Sequence, residues 1–377
     1  MKDALGIIFA FDDSNELKEL VARRTVSAIP FGCRYRIIDF MLSNMTNAGI
    51  CEVGVILKSK YQSIMDHVGS GKDWDLARKN GGVYLLPPYS YSKKDVIGSG
   101  GPYRGDIEGL AGIFHFLQRS KTEYVVLSDG NVVANINLRK VFEEHVASEA
   151  DITAVCVPRG NNGSTLLSCD ENGFVNDVLI SDFMSPDINT TYSKEACGVY
   201  VIKKDLLEKL VMECSAKNLY HINRDILQRL CGQLRIKTYM HNGYFARITD
   251  PATFFKSNMD LLDLDNRNDL FNPKFPINTR SQDNAPARYS ENANVRNSLV
   301  SDGCIIDGTV INSVIFRGAK IKSGAVVENC IIMQDSVVDE NTNLSYVVAD
   351  KNVYIGSSRN ISGHDSYPVF ISKGSTI

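Results

Sequence analysis

The sequence predicts an α/β domain with a mostly parallel sheet, followed by a parallel β-solenoid. Three observations carry this. Short apolar strands alternate with helical patterns over the first 250 residues. The chain turns polar and proline-bearing near residue 264. Beyond residue 295, aliphatic residues recur every five or six positions. Alternation of the first kind places helices on both faces of a mostly parallel sheet. Short-period recurrence of the third kind marks coils that bury one apolar edge against the next coil.

The strands are read in order as ALGIIFAF (4–11), EVGVIL (52–57), EYVVLSD (123–129), DITAVCV (151–157) and CGVYVI (197–202). Helical spacing appears in NELKELVARR (15–24), GLAGIFHFLQRS (109–120) and NLRKVFEEHVAS (137–148). Ligands of such sheets sit outside the carboxyl ends of the strands. Residues 1–262 are read as this domain. Residues 263–292, with Pro273, Pro276 and Pro286, are read as a linker. Residues 293–377 form the solenoid, in which Val295, Val300, Ile305, Val310, Ile315, Ile321, Val326, Ile331 and Val337 set the period. Gly303, Gly308, Gly318 and Gly324 fall between them as turn residues. Open solenoid faces favour docking, so oligomerisation is expected.

A chain of 377 residues with 44% apolar content is long enough for two cores. A formal net charge of −3 gives no broad attraction to nucleic acid or membrane. Nine scattered cysteines without a CxxC pair argue against a disulfide framework and for a reducing cytoplasm. The first apolar run reads as a buried strand rather than a signal peptide, and none is long enough to span a bilayer.

Several longer motifs occur in a fixed order: PFGCRYRIIDFMLSN (30–44), TNAGI (46–50), WDLARKNGGVYLLPPY (74–89), YRG (103–105) and SNMDLL (257–262). Together they resemble bacterial ADP-glucose pyrophosphorylase, that is, glucose-1-phosphate adenylyltransferase. The resemblance covers nearly the whole chain. It implies a Rossmann-like nucleotidyltransferase domain of GT-A type and a left-handed parallel β-helix. The family joins ATP and glucose 1-phosphate into ADP-glucose and pyrophosphate. That chemistry asks the protein to position and neutralise two polyanions with Mg²⁺ and cationic side chains.

Laid over this chain, the family pattern loses its charges. The glycine pair of the nucleotide loop falls on Phe11 and Asp12, the third glycine on Ser14 and the loop arginine on Glu16. At about 4 Å and an effective dielectric of about 20, each unit of charge is worth at most about 4 kcal/mol. Glutamate there has the wrong sign for ATP; Asp13 or Ser14 capping a helix, with Glu16 complementing its dipole, fits better. The catalytic lysine becomes Val26. The two metal-binding aspartates become Asn131 and Arg247, although Asp129 stands two residues before Asn131 and is an alternative ligand. The Glu and Lys of the sugar-phosphate motif become Ile180 and Ser181, while Tyr103 is retained.

The losses fall where catalysis needs charge. The resemblance is therefore to the non-catalytic, regulatory subunit type, which pairs with a catalytic homologue and tunes it. No catalytic residue and no cofactor is assigned, Mg²⁺ being expected only in the catalytic partner. The effector positions of the family fall on Arg23, Arg24 and Arg36, with Arg34 beside them. Arginine offers bidentate phosphate contacts, so a sugar-phosphate effector is implied; solvation or pairing with nearby acids is the competing account. The implied partner is the catalytic subunit in a hetero-oligomer, a homo-oligomer of this chain alone being the alternative. Asp129 and Arg247 are expected to meet, the guanidinium replacing the metal's charge.

Three rival functions stand beside this. An active adenylyltransferase would need a rearranged site using Asp129 and a lysine such as Lys58 or Lys60. A hexapeptide acyltransferase needs a histidine on its coils, and none lies within residues 293–356. A free-standing sugar-nucleotide sensor would need no partner.

Overall fold

The computed structural model describes residues 3–11, 16–88, 103–160, 165–180 and 191–377. Asp12, Asp13, Ser14 and Ser181, which carried parts of the sequence argument, lie outside the described residues. The chain packs as two compact units. One holds residues 1–12, 40–247 and 272–278; the other holds 13–39, 248–271 and 279–377.

The first unit is built on a nine-stranded mixed sheet. Its centre is the parallel run Gly82–Leu86, Glu52–Ile56, Ala4–Phe9 and Tyr124–Asp129. Lys194–Lys203 then pairs antiparallel with Tyr124–Asp129 and with Ile152–Pro158. Ile236–Met240 adds in parallel to Ile152–Pro158. The hairpin Thr165–Cys169 and Val175–Ile180 completes the sheet. Only Lys194–Lys203 and Val175–Ile180 oppose the common strand direction, so the expected mostly parallel sheet is present. The central strand Ala4–Phe9 is apolar and buried throughout, as a strand covered on both faces is. Gly6 lets a helix approach closely: a Cβ there would lie 2.4 Å from Sδ of Met45, within Ile37–Asn47. Asn44 ties the same helix to the next segment, donating to the Ala134 carbonyl at 2.9 Å and accepting from the Ile136 N–H at 3.2 Å.

Two helix expectations need correction. Of the stretch 15–24, the described residues 16–24 form only a 3₁₀ turn, Lys18–Val21; Leu17 and Leu20 are buried at i,i+3 spacing, which one such turn satisfies. Glu16 is exposed in the preceding turn. The stretch 109–120 is two helices, Asp106–Gly112 and Phe114–Arg119, broken at Ile113.

In the second unit, the helix Pro251–Met259 starts at a capping box between Asp250 and Thr253. Asn258 on it accepts the Gly32 N–H at 3.0 Å. Residues 263–292 contain the helix Leu264–Leu270, capped by Asp263, and the strand Arg288–Tyr289.

The solenoid is a left-handed β-helix of three parallel five-stranded sheets, each strand pairing with its equivalent one coil on. Its core runs through Ile306, Val310, Ile315, Ile321, Val327, Ile332 and Val338. Four of the period-setting residues are therefore one position off. Ile305 is exposed, Val326 and Val337 are half-buried, and Ile331 is buried outside this core, while Ile306, Val327, Ile332 and Val338 belong to it. The corners use left-handed residues: Gly303, Gly318 and Gly324, but also Asn297, Asn312, Asn329 and Asn341. Among the described residues, no helix is long and apolar enough to cross a membrane.

Candidate functional site

Asp129 ends the strand Tyr124–Asp129 at its carboxyl edge, in register with Phe9. Immediately after it, Val132–Ala134 pairs antiparallel with Phe245–Arg247, placing Arg247 opposite Val132. This pairing returns Arg247 to Asp129. Its Nη1 donates to Oδ2 of Asp129 at 2.7 Å, and its Nη2 donates to the Ala196 carbonyl at 3.2 Å. The expectation that these two residues meet is correct.

The third wall is Gly198. A bulge in Lys194–Lys203 between Ala196 and Val199 puts Gly198 at φ +71°, a left-handed conformation that glycine adopts without strain. Burial works against the charge on Arg247, but the Asp129 carboxylate more than offsets it, so the guanidinium titrates above its ordinary value. Burial pushes the Cys197 thiol and the Tyr200 phenol well up, so both are neutral. The Arg247 cation and the Asp129 anion in this corner are thus already matched to each other.

This donor set does not suit Mg²⁺, which takes oxygen ligands in a near-octahedral shell and usually a carboxylate. The Asp129 carboxylate is spent on a guanidinium. Asn131 offers a buried amide oxygen without a hydrogen-bond partner, and Arg247 would repel the ion. Among the described residues, no group of three or more His, Cys, Asp or Glu side chains is placed to hold a metal.

The nucleotide-loop position is filled by an aromatic ring. Phe11 lies 5.9 Å from Phe9, edge-on, and 5.9 Å from the buried ring of Tyr103. It also packs over Gly109, where a Cβ would sit 3.3 Å from the ring. Val26, at the lysine position, is buried in the 3₁₀ turn Val26–Ala28.

The predicted effector arginines all lie in the second unit. Arg23 is exposed. Arg24 is buried and forms an ion pair with buried Asp350. Arg36 is half-buried on the short strand Tyr35–Arg36, its N–H donating to Asp39 at 2.9 Å. Arg34 is exposed, its guanidinium 5.7 Å over the Tyr35 ring. Sequence reasoning missed Asp350, Lys351 and Lys373. Lys351 shares an electrostatic neighbourhood with Arg24, Arg36, Asp350 and Lys373. Nothing local marks these residues, because each stands on a solenoid coil more than 300 positions from the arginines.

Residues 6–246 match the nucleotidyl transferase family, and residues 285–367 match the GlmU-like C-terminal hexapeptide family. Fold and matches together define a nucleotidyl transferase domain carrying a hexapeptide β-helix. Within that class, the chain belongs to the family that holds glycogen biosynthesis protein GlgD and glucose-1-phosphate adenylyltransferase. It is 31% identical over 371 residues to the glycogen biosynthesis protein GlgD of Bacillus subtilis (strain 168), covering 98% of this chain and 96% of that protein. It is 33% identical to the GlgD of Geobacillus stearothermophilus, covering 86% and 82%. With the glucose-1-phosphate adenylyltransferase of Fervidobacterium nodosum it shares 29% identity, covering 91% and 84%.

Proposed function

We propose that this chain is a catalytically deficient, regulatory subunit of ADP-glucose pyrophosphorylase in glycogen biosynthesis. The observation that carries the reading is the 2.7 Å contact of Arg247 with Asp129. Adenylyl transfer asks its site to neutralise a triphosphate and a sugar phosphate at once. In this chain the carboxylate that would serve that end is bound to a guanidinium, the lysine position is the buried Val26, and the first glycine position of the phosphate loop is Phe11, whose ring packs against Phe9 and Tyr103. Such a corner keeps its shape while supplying no free charge to a reaction.

The chain then acts by contact. It binds a catalytic homologue in a two-plus-two heterotetramer in the cytoplasm, needs no metal of its own, and shifts its partner's equilibrium between states of different activity. A sugar phosphate bound through Arg23, Arg24 and Arg36 biases that shift. The test is a mixing assay with ATP, glucose 1-phosphate and Mg²⁺. The catalytic homologue alone, this chain alone and both together are scanned against phosphorylated hexoses. The mixture is expected to differ from the homologue in effector response while this chain alone is silent. Robust turnover by the purified chain would refute the reading. For the effector site, calorimetry on Arg36→Ala is expected to show weakened binding; unchanged binding removes it.

A further inference from the structure

Each coil of the β-helix turns a corner between its second and third strands. In the first four coils one or two residues make that turn, as Tyr346 does between Asn343–Ser345 and Val347–Ala349. In the last coil the six residues 363–368 stand between Asn360–Ser362 and Val369–Ile371. They fold as a small hairpin. The His364 N–H donates to the Tyr367 carbonyl at 3.2 Å, and the Tyr367 N–H donates to the His364 carbonyl at 3.0 Å. The base is tied to the preceding coil: the Gly363 N–H donates to the Ser345 carbonyl at 2.8 Å, and the Val369 N–H to the Tyr346 carbonyl at 2.9 Å. The approach is so close that a Cβ on Gly363 would lie 2.6 Å from the Tyr346 carbonyl oxygen. Above it, the Tyr346 and His364 rings stack at 6.3 Å and 27°.

This held extension carries Tyr367 into solvent at 78% exposure, with Asp365 beside it at 70%. The Asp365 carboxylate lies 2.9 Å from Nδ1 of His364 and otherwise faces outward from the turn. Insertions in a repeat fold collect on one face, which is often its binding face. Tyrosine is among the side chains that anchor protein interfaces.

The nucleotidyl transferase domain holds an open groove of about 490 Å³ between the helix Lys204–Ala216 and the segment 229–234, which follows the π-helix Ile222–Gln228. Binding pockets commonly measure about 300–1,000 Å³. Buried Leu210 and Leu230, with half-buried Leu234, give it an apolar floor. Its charged lining residues are two cations and one anion. Lys217 and Arg229 share one oxygen of Glu213, at 2.8 and 3.5 Å. The rim therefore carries one positive charge more than it balances.

We propose that the hairpin 363–368 of one copy of this chain seats Tyr367 on the leucine floor of this groove in a second copy, with Asp365 supplying the anion that the rim lacks. Apolar ring and apolar floor, anion and cationic rim, match in both terms. Knob and groove are different surfaces, so every copy offers both and the contact is heterologous. It depends on neither the effector nor the catalytic reading.

The test is sedimentation velocity on the full-length chain over a concentration series. Wild type is expected to self-associate reversibly. Tyr367→Ser should weaken that association at least about tenfold, at unchanged melting temperature because the ring is exposed. Asp365→Lys and Lys217→Glu should each associate more weakly than wild type, since each sets like charges together. An equimolar mixture of these two variants should recover association, because every hairpin then finds a groove of opposite charge. A wild type that stays monomeric throughout overturns the proposal, as does full-strength association of Tyr367→Ser. Weakened single variants without recovery in the mixture mean that the hairpin meets another surface, and the pairing with the groove is then overturned. If Tyr367→Ser does not fold, the charge pair alone decides, since Asp365 and Lys217 are both mostly exposed.

Discussion

A methyl group on Gly198 would lie 1.9 Å from Oδ2 of Asp129 and 2.9 Å from Nη2 of Arg247. The ion pair and the glycine are therefore one feature. The bulged strand comes so close to the carboxylate edge that only a residue without a Cβ leaves room for both charges. Gly198→Ala adds a clash with a charged pair to strain at φ +71°. It should destabilise the protein by about 2–4 kcal/mol. Thermal melts followed by circular dichroism measure this, and a loss under about 0.5 kcal/mol would mean that the strand moves aside.

Arg247→Ala leaves Asp129 beside a newly vacated, half-buried space. Breaking one member of a buried pair costs about 3–5 kcal/mol. Asp129 remains partly exposed, so about 2 kcal/mol is the expected loss. Added Mg²⁺ should leave the wild-type melting temperature unchanged and should partly restore that of the variant, whose carboxylate is released. Mg²⁺ stabilisation of the wild type would contradict the guanidinium's place as the charge that substitutes for a metal.

The substitutions can be run backwards. Asn131→Asp with Arg247→Asp puts two carboxylates beside Asp129, a donor set that binds a divalent cation and is otherwise repulsive. The double variant should be unstable without metal and gain melting temperature with Mg²⁺ in proportion to ligand occupancy. Equal melting curves with and without Mg²⁺ would show that the surrounding backbone has also departed from a metal site.

How far the sequence could be read depended on the range of the interaction. Parallel strands were visible because a strand covered on both faces is apolar throughout, as Ala4–Phe9 is. The β-helix period was visible for the same reason, but its phase slipped at Ile305, Val326, Ile331 and Val337. Adjacent aliphatic pairs such as Ile305–Ile306 do not say which member faces inward. The segment 15–24 has helical spacing, yet its described residues 16–24 form a single 3₁₀ turn, since two leucines three apart suit either geometry. At the candidate site, the losses of charge could be read residue by residue, and so could the meeting of Asp129 with Arg247. The Gly198 bulge and the Arg24–Asp350 pair could not, because both depend on backbone approach between segments distant in the chain.

His145 sets an acid limit on stability. It is buried, its Nδ1 lies 2.8 Å from the Thr153 hydroxyl, and its Nε2 has no hydrogen-bond partner. Burial, aided by Lys203, pushes its pKa from 6.5 down to about 4. The folded state therefore binds fewer protons than the unfolded chain between those values. Stability from the neutral ring is fully present above pH 6.5 and is lost as pH falls through about 4, by about 3 kcal/mol in all. His145→Gln should flatten that part of the pH profile relative to wild type, measured by urea unfolding at pH 7, 5.5 and 4.5.

Lys351 acts at the other end of the scale. Its ammonium is pushed down from 10.5 to about 7 by burial and by Arg36 and Arg24. Below pH 7 both folded and unfolded chains carry the proton, and the fold bears the whole cost of the half-buried charge. Between about 7 and 10.5 the unfolded chain binds more protons, so this group's contribution to stability rises with pH. Lys351→Met removes the charge and keeps much of the side-chain length. It should melt higher than wild type at pH 6.5, and its advantage should shrink steadily towards pH 9. A constant gap across the pH range would place the Lys351 charge in water, away from Arg24 and Arg36.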